Sequence, residues 1–275
     1  MLVVLIFSAL FLLLWAIFMA GAPMLMHLAG VLAHRTAAFR YRDYLPVVVL
    51  LAAAAGAAAL AGDAFLDLAE LVRGESPLLQ RVDAESHQWA ASQRSPGATR
   101  FFVFVTIAGA PVPLALIVLA ACVALAMKRR RQRLVYLLVT SVGGALLVVQ
   151  LKIYFARARP DLAEAIRQAH GYSFPSGHAM GAMVVAGALA YLGYRAFASA
   201  RARAAAVAAA TTFVLAVALS RVYLGVHWIS DVAAGMSAGL VWVTGTTVAY
   251  ETFRRIRMIR ALRAKARDAE TAAQA

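Results

Sequence analysis

The sequence predicts an all-α, polytopic membrane helix bundle of seven spans, and three observations carry that prediction. Of the 275 residues, 63% are hydrophobic and the mean hydropathy is +0.75, an apolar share well above that of soluble domains. Several apolar runs reach the roughly 20 residues that cross a bilayer as a helix. These runs are continuous, whereas membrane strands alternate. Backbone groups in lipid are then satisfied within each helix.

The spans are expected at 3–21, 44–62, 102–127, 133–151, 179–197, 205–222 and 232–250. Segment 1–33 is an extra N-terminal membrane segment. It has no positive n-region and no small-residue cleavage site, so a cleaved signal peptide is not expected. Gly21-Ala22-Pro23 kinks or ends its helix, and if it ends there six spans remain. The stretch 63–100 carries Asp63, Asp67, Glu70, Glu75, Asp83, Glu85 and four Arg, and is expected as a hydrophilic excursion. Leu78–Trp89 within it suits an amphipathic helix on the membrane surface. A lid over the site is one reading of this stretch, and a solvated loop is favoured over it. A second polar loop, 152–178, holds Gly and Pro at 160, 171, 175 and 177 and is expected to be irregular. Residues 251–275 form a basic cytoplasmic tail, whose Ala-rich part, 261–275, reads as a frayed helix.

The net charge of +14 invites a nucleic-acid reading, but its placement opposes it. Segments 34–42, 128–133, 195–203 and 253–267 hold 18 of the 27 basic residues, each at one end of a span and on alternate loops. That is the positive-inside pattern, with the basic tail also able to meet anionic lipid. Cys122 stands alone within an apolar run and reads as a small buried hydrophobe.

With 128–133 and 195–203 inside, the loops 152–178 and 223–231 emerge together on the outer side. Three polar clusters meet there: Lys152 to Pro160, Pro175 to His178, and Ser220 to Asp231. Ionisable groups beside apolar helices are functional candidates. Lys152 is one of only three lysines and ends a span. Arg159 precedes Pro160, which biases it away from helix. Arg221 ends an apolar run, and a phosphate would match its guanidinium bidentately. Arg157 reads equally well as an interfacial anchor and is left outside the site.

Ser176 is an N-cap candidate for the next helix, and Gly177 lets a ligand approach the backbone. Anions bind readily at such a helix start. His178 follows one residue later. His227 and Asp231 are four positions apart, so a helix starting near His227 lets the carboxylate accept from one ring nitrogen and raise the basicity of the other. A His–Asp pair alone would also suit a proton relay or a metal site, but neither accounts for three cations. Zinc is not expected, since there is no Cys set and no H-E-x-x-H. His27, His34 and His87 belong to no cluster and are expected to be interfacial or solvated. His170 lies in the polar loop without a clear role.

At these residues the chain resembles the type-2 phosphatidic acid phosphatase superfamily of integral lipid phosphate phosphatases. Its three-part signature matches Lys152-x6-Arg159-Pro160, Pro175-Ser176-Gly177-His178 and Ser220-Arg221-x5-His227-x3-Asp231. The resemblance covers 44–250, implying a six-helix phosphatase core with 1–33 outside it. It implies His227 as a nucleophile forming a phosphohistidine, Asp231 as its partner and His178 as general acid and base. Lys152, Arg159, Ser176, Gly177 and Arg221 would bind the phosphate. It further implies hydrolysis without a metal or other cofactor.

The leading expectation is a lipid phosphatase acting on phosphatidylglycerophosphate, phosphatidate or a polyprenyl diphosphate. Its partners are that substrate and the bilayer, with no nucleic acid. A bacterial inner membrane, with the site facing the periplasm, is the expected location. A vanadate-dependent haloperoxidase would share the anion pocket, but such enzymes are typically soluble. An anion channel or transporter would spread its charges through the bilayer depth, whereas these gather at one face.

Overall fold

The computed structural model describes residues 45–160, 165–166 and 170–274, and every regular element within them is a helix. Helix α1 spans Leu45–Arg73, α2 Pro77–Ser92, α3 Pro96–Ala108 and α4 Pro111–Met127. Then come α5 (Arg131–Phe155), α6 (Gly177–Ala196), α7 (Ala200–Tyr223) and α8 (Ile229–Gln274). Among the described residues, α5, α6, α7 and the part of α8 up to Arg257 are each long and apolar enough to cross a membrane, and α3 with α4 makes a fifth, bent span. The chain is an all-α membrane bundle. Helix α1 begins at Leu45 and includes 45–62 of the expected span at 44–62, while the one at 3–21, with His27 and His34, lies outside the described residues.

Helix α6 is the centre. It packs against α4, α5, α7 and α8, and Ala179, Met180, Ala182 and Ala188 are fully buried. A helix apolar on all sides is one surrounded by others. Its contact with α8 depends on Gly235 and Gly239, one turn apart. A Cβ on Gly235 would stand 2.6 Å from the Ser176 carbonyl oxygen, and one on Gly239 would stand 2.8 Å from Met183 Cβ. Small residues at such spacing let membrane helices approach closely where hydrophobic attraction is weak. By contrast, Val112, Leu116, Val139, Val142 and Leu146, on α4 and α5, are exposed, as a lipid-facing rim requires.

Two expectations are corrected. The run 102–127 is not one straight helix: α3 and α4 meet at 50°. Pro111 cannot donate to a preceding turn, and it holds Ala110 extended at φ −72° and ψ 157°. Nor is 63–100 a solvated loop. Helix α1 continues to Arg73, and α2 follows with Leu79, Asp83, Ser86, His87 and Ala90 buried on one face. That face packs against α7 and α8.

The chain order brings together the end of α5, the start of α6, the end of α7 and the start of α8. The opposite ends of the same membrane-spanning segments carry Arg131, Arg133, Arg195, Arg201 and Arg254. There Glu251, 7% exposed, accepts from Arg254 at 2.7 Å and from Tyr191, with Arg195 3.6 Å away. These bonds lock α6 to α8 at the end remote from the polar clusters.

Candidate active site

His227 lies in the short turn between α7 and α8 and is 2% exposed. Helix α8 begins at Ile229, two residues later than the sequence suggests, so the pairing with Asp231 arises at a helix start. Asp231 sits in the first turn of α8 and its Oδ2 accepts from the Trp228 N–H at 3.0 Å. The same oxygen stands 3.3 Å from His227 Nδ1. A carboxylate reaching back to cap its own helix is thus fixed beside the imidazole.

The other ring nitrogen, Nε2, is 3.1 Å from Arg159 Nη1. A guanidinium only donates, so Nε2 is the acceptor and the proton sits on Nδ1, facing Asp231. Burial, and then the charges of Arg221, Arg159 and Lys152, hold the His227 imidazole well below its usual range. The ring is therefore neutral at physiological pH, with an available lone pair on Nε2.

Arg159 also donates to four backbone carbonyls: Gly171 at 2.9 Å, Val226 at 2.7 Å, His170 at 3.0 Å and Tyr172 at 3.3 Å. It clamps the polar loop as well as facing the histidine, and that is the part His170 plays, through its backbone. Lys152 Nζ, from the last turn of α5, donates to the Tyr172 carbonyl and lies 3.5 Å from that of Ser173. Gly177 packs on this lysine, since a Cβ there would lie 3.6 Å from Lys152 Cε.

Phe174 is fully buried between Phe65 and Phe155, its ring centroid 4.8 Å from the latter. This packing fixes the chain entering α6. Ser176 stands at the N-cap position, as expected, but its hydroxyl makes no capping bond. The side chain is fully buried, and its Oγ has no hydrogen-bond partner among the described residues. Buried hydroxyls are normally satisfied, and the N–H groups of a helix's first turn lack intrahelical acceptors. Oγ and those amides stand together at the start of α6, an arrangement able to receive an anion. His178, the second residue of α6, is half-buried and close enough to Arg221 for its charge to act on it. Arg221 is buried at the end of α7, where Nη1 donates to Thr106 Oγ1 of α3 at 2.5 Å. The structure therefore gathers the other seven candidate residues around His227.

It also adds residues. Arg157, left outside by sequence reasoning, donates to Asp231 Oδ1 and Ser230 Oγ from Nη1, each at 2.7 Å, and to Asp83 Oδ2 from Nη2 at 2.7 Å. Asp83 comes from α2. His87, expected to be interfacial or solvated, is 9% exposed, its ring 5.8 Å from that of Trp228. The sequence signal was available: Leu79, Asp83, Ser86, His87 and Ala90 share one helical face. Among the described residues, no three His, Cys, Asp or Glu side chains are grouped to hold a metal ion.

The family model described as the PAP2 superfamily matches residues 133–255, a range enclosing all three polar clusters. Phosphatidylglycerophosphatase B of Bacillus subtilis (strain 168) is 33% identical over 180 residues, spanning 64% of this chain and 86% of that one. The chain belongs to the PAP2 superfamily. A crystal structure of a transmembrane PAP2-type phosphatidylglycerolphosphate phosphatase from Bacillus subtilis superposes with a TM-score of 0.66 at 27% identity, covering 71% of this chain and 96% of that one. The Aquifex aeolicus LpxE structure shares the fold, with a TM-score of 0.50 at 21% identity over 60% of this chain and 94% of that one. As a PAP2 protein the chain is a membrane lipid phosphatase, a phosphoric ester hydrolase.

Proposed function

We propose that this PAP2 enzyme removes the terminal phosphate of a lipid phosphate through a phosphohistidine on His227. The observation that carries the reading is the geometry of that one ring: Nδ1 is tied to Asp231, and Nε2 faces an arginine across an unprotonated lone pair. Nε2 attacks phosphorus, and the bond to the lipid oxygen breaks. Protonated His178 gives its proton to that oxygen, and the lipid alcohol leaves. Neutral His178 then takes a proton from water, which attacks phosphorus. The P–Nε2 bond breaks and inorganic phosphate departs. Lys152, Arg159 and Arg221 stabilise the charge on the equatorial oxygens. The Ser176 hydroxyl and the amides starting α6 hold the bound phosphate.

Phosphatidylglycerophosphate is the first substrate to test, supported by the likeness to phosphatidylglycerophosphatase B. Phosphatidate and polyprenyl diphosphate follow. The site lies at the helix ends remote from the basic clusters, which supports an inner membrane protein whose site faces the periplasm.

The test is phosphate release from this lipid panel by purified protein in EDTA. Release should persist in the chelator and vanish in His227→Ala, with acid-labile phosphate trapped on the wild-type chain. Equal release by the variant would remove His227 from the mechanism, and loss in EDTA would bring a metal into it.

A further inference from the structure

We infer that Asp83, on α2, is a positioning residue for the His227–Asp231 pair, acting through Arg157 and Ser230; this rests on His227 being the nucleophile. Asp83 is 2% exposed, and among the described residues its hydrogen bonds lead to Ser230 at the start of α8 and to Arg157. Its Oδ1 accepts from the Ser230 N–H at 3.1 Å, and its Oδ2 from Ser230 Oγ and Arg157 Nη2, each at 2.7 Å. Arg157 Nη1 in turn holds Asp231 Oδ1 at 2.7 Å. One guanidinium is thus shared between two buried carboxylates, Asp83 on its outer side and Asp231 on the side facing the histidine. The Trp228 ring covers it, 5.9 Å from the guanidinium carbon, and donates to the Ala158 carbonyl at 3.3 Å.

Two consequences follow. First, Asp83 caps α8 from outside by taking the Ser230 N–H, while Asp231 takes the Trp228 N–H, so two carboxylates satisfy donors at one helix start. Second, Asp83 draws on the Arg157 charge and leaves Asp231 more strongly anionic toward Nδ1 of His227. Without the Asp83 carboxylate, Arg157 would pair with Asp231 alone. The orienting hydrogen bond to the imidazole would weaken, and Arg157, which fixes Asp231 Oδ1, would lose one of its own anchors. Asp83 never touches the phosphate, so substrate binding should be spared.

Measure kcat and KM for wild type, Asp83→Asn, Asp231→Asn and the double variant on a detergent-solubilised lipid phosphate. Asp83→Asn should lower kcat about tenfold with KM little changed, and the double variant should be no slower than Asp231→Asn, as expected of residues acting as one unit. Leu79→Ala loosens the packing of the same α2 face without touching the ion pair, and should lower the unfolding temperature while leaving kcat unchanged. A wild-type kcat in Asp83→Asn, a multiplicative loss in the double variant, or an equal kcat loss in Leu79→Ala overturns the proposal. If Asp83→Asn does not purify folded, Ser230→Ala enters the same cycle, with the same non-additivity expected. Wild-type release by His227→Ala overturns the nucleophile reading itself; a dead His227→Ala beside an unaffected Asp83→Asn overturns only the positioning role.

Discussion

Arg159 presents one N–H to His227 Nε2 at 3.1 Å, while its other four each point at a backbone carbonyl of Val226, His170, Gly171 or Tyr172. This side chain therefore has two tasks, holding the polar loop and marking where an oxygen of a phosphoryl group on Nε2 would sit. Arg159→Lys keeps the charge but loses the fork that makes both possible. The expected loss in kcat/KM is about 10²- to 10³-fold, the scale of removing one aligned donor from a transition state. Steady-state kinetics on the charge-conserving variant check it; a loss below about threefold would mean that charge alone suffices.

The depressed basicity of His227 fixes a pH dependence. Its first cause is burial, followed by the cations Arg221, Arg159 and Lys152. As the proposed nucleophile His227 must be unprotonated, so the acidic limb of kcat/KM that it sets should lie below the ordinary imidazole value of about 6.5. Removing a neighbouring cation makes the imidazolium easier to form. Lys152→Met should accordingly move that limb to higher pH, with a lower plateau. An unmoved limb would show that another group sets it.

Gly235 offers a test of how the bundle seats the site. A Cβ there would lie 2.6 Å from the backbone oxygen of Ser176, and backbone cannot swing aside as a side chain can. Gly235→Ala should push α8 from the start of α6, costing about 1–3 kcal/mol and most of the activity, because Ser176 N–H also bonds the Asp231 carbonyl at 2.9 Å. Gly245, on the same helix, has nothing within 4 Å of its Cβ position. Gly245→Ala should be neutral or stabilise by up to about 1 kcal/mol through helix propensity. Thermal unfolding in detergent compares the two.

Much of this was legible in the sequence because topology decides it. Once basic loops fix alternate helix ends on one side, Lys152, Arg159, Ser176, His178, Arg221, His227 and Asp231 must share the other. Arg157 was not legible, since an arginine at a span's end suits lipid headgroups as well as a buried ion pair. Asp83 left only a weak signal, the shared face of α2, for a related reason. Its neighbours on the buried face of α2 include Ser86 and His87, and a face holding polar residues with fixed partners carries a weak apolar period. The bend at Gly109-Ala110-Pro111 did carry a readable signal. The long apolar run around it masked that signal, because lipid-facing helices tolerate such breaks when neighbouring helices support them. Thr106, which holds Arg221, could not be told from any other hydroxyl in an apolar run.

Ser176 gives the sharpest separation of stability from function. Its Oγ is buried and makes no bond to the described residues, so Ser176→Ala should delete no internal hydrogen bond and remove the desolvation cost of an unsatisfied hydroxyl. The variant should unfold at the wild-type temperature or slightly above. If the hydroxyl donates to the bound phosphate, losing that bond to a charged group should weaken vanadate inhibition about tenfold, with a similar rise in KM. Isothermal titration with vanadate and thermal unfolding of the same preparation provide both readings. A variant that is destabilised yet binds vanadate normally would make Ser176 a structural cap whose bond forms within the protein after all, and the cradle at the start of α6 would then rest on backbone amides alone.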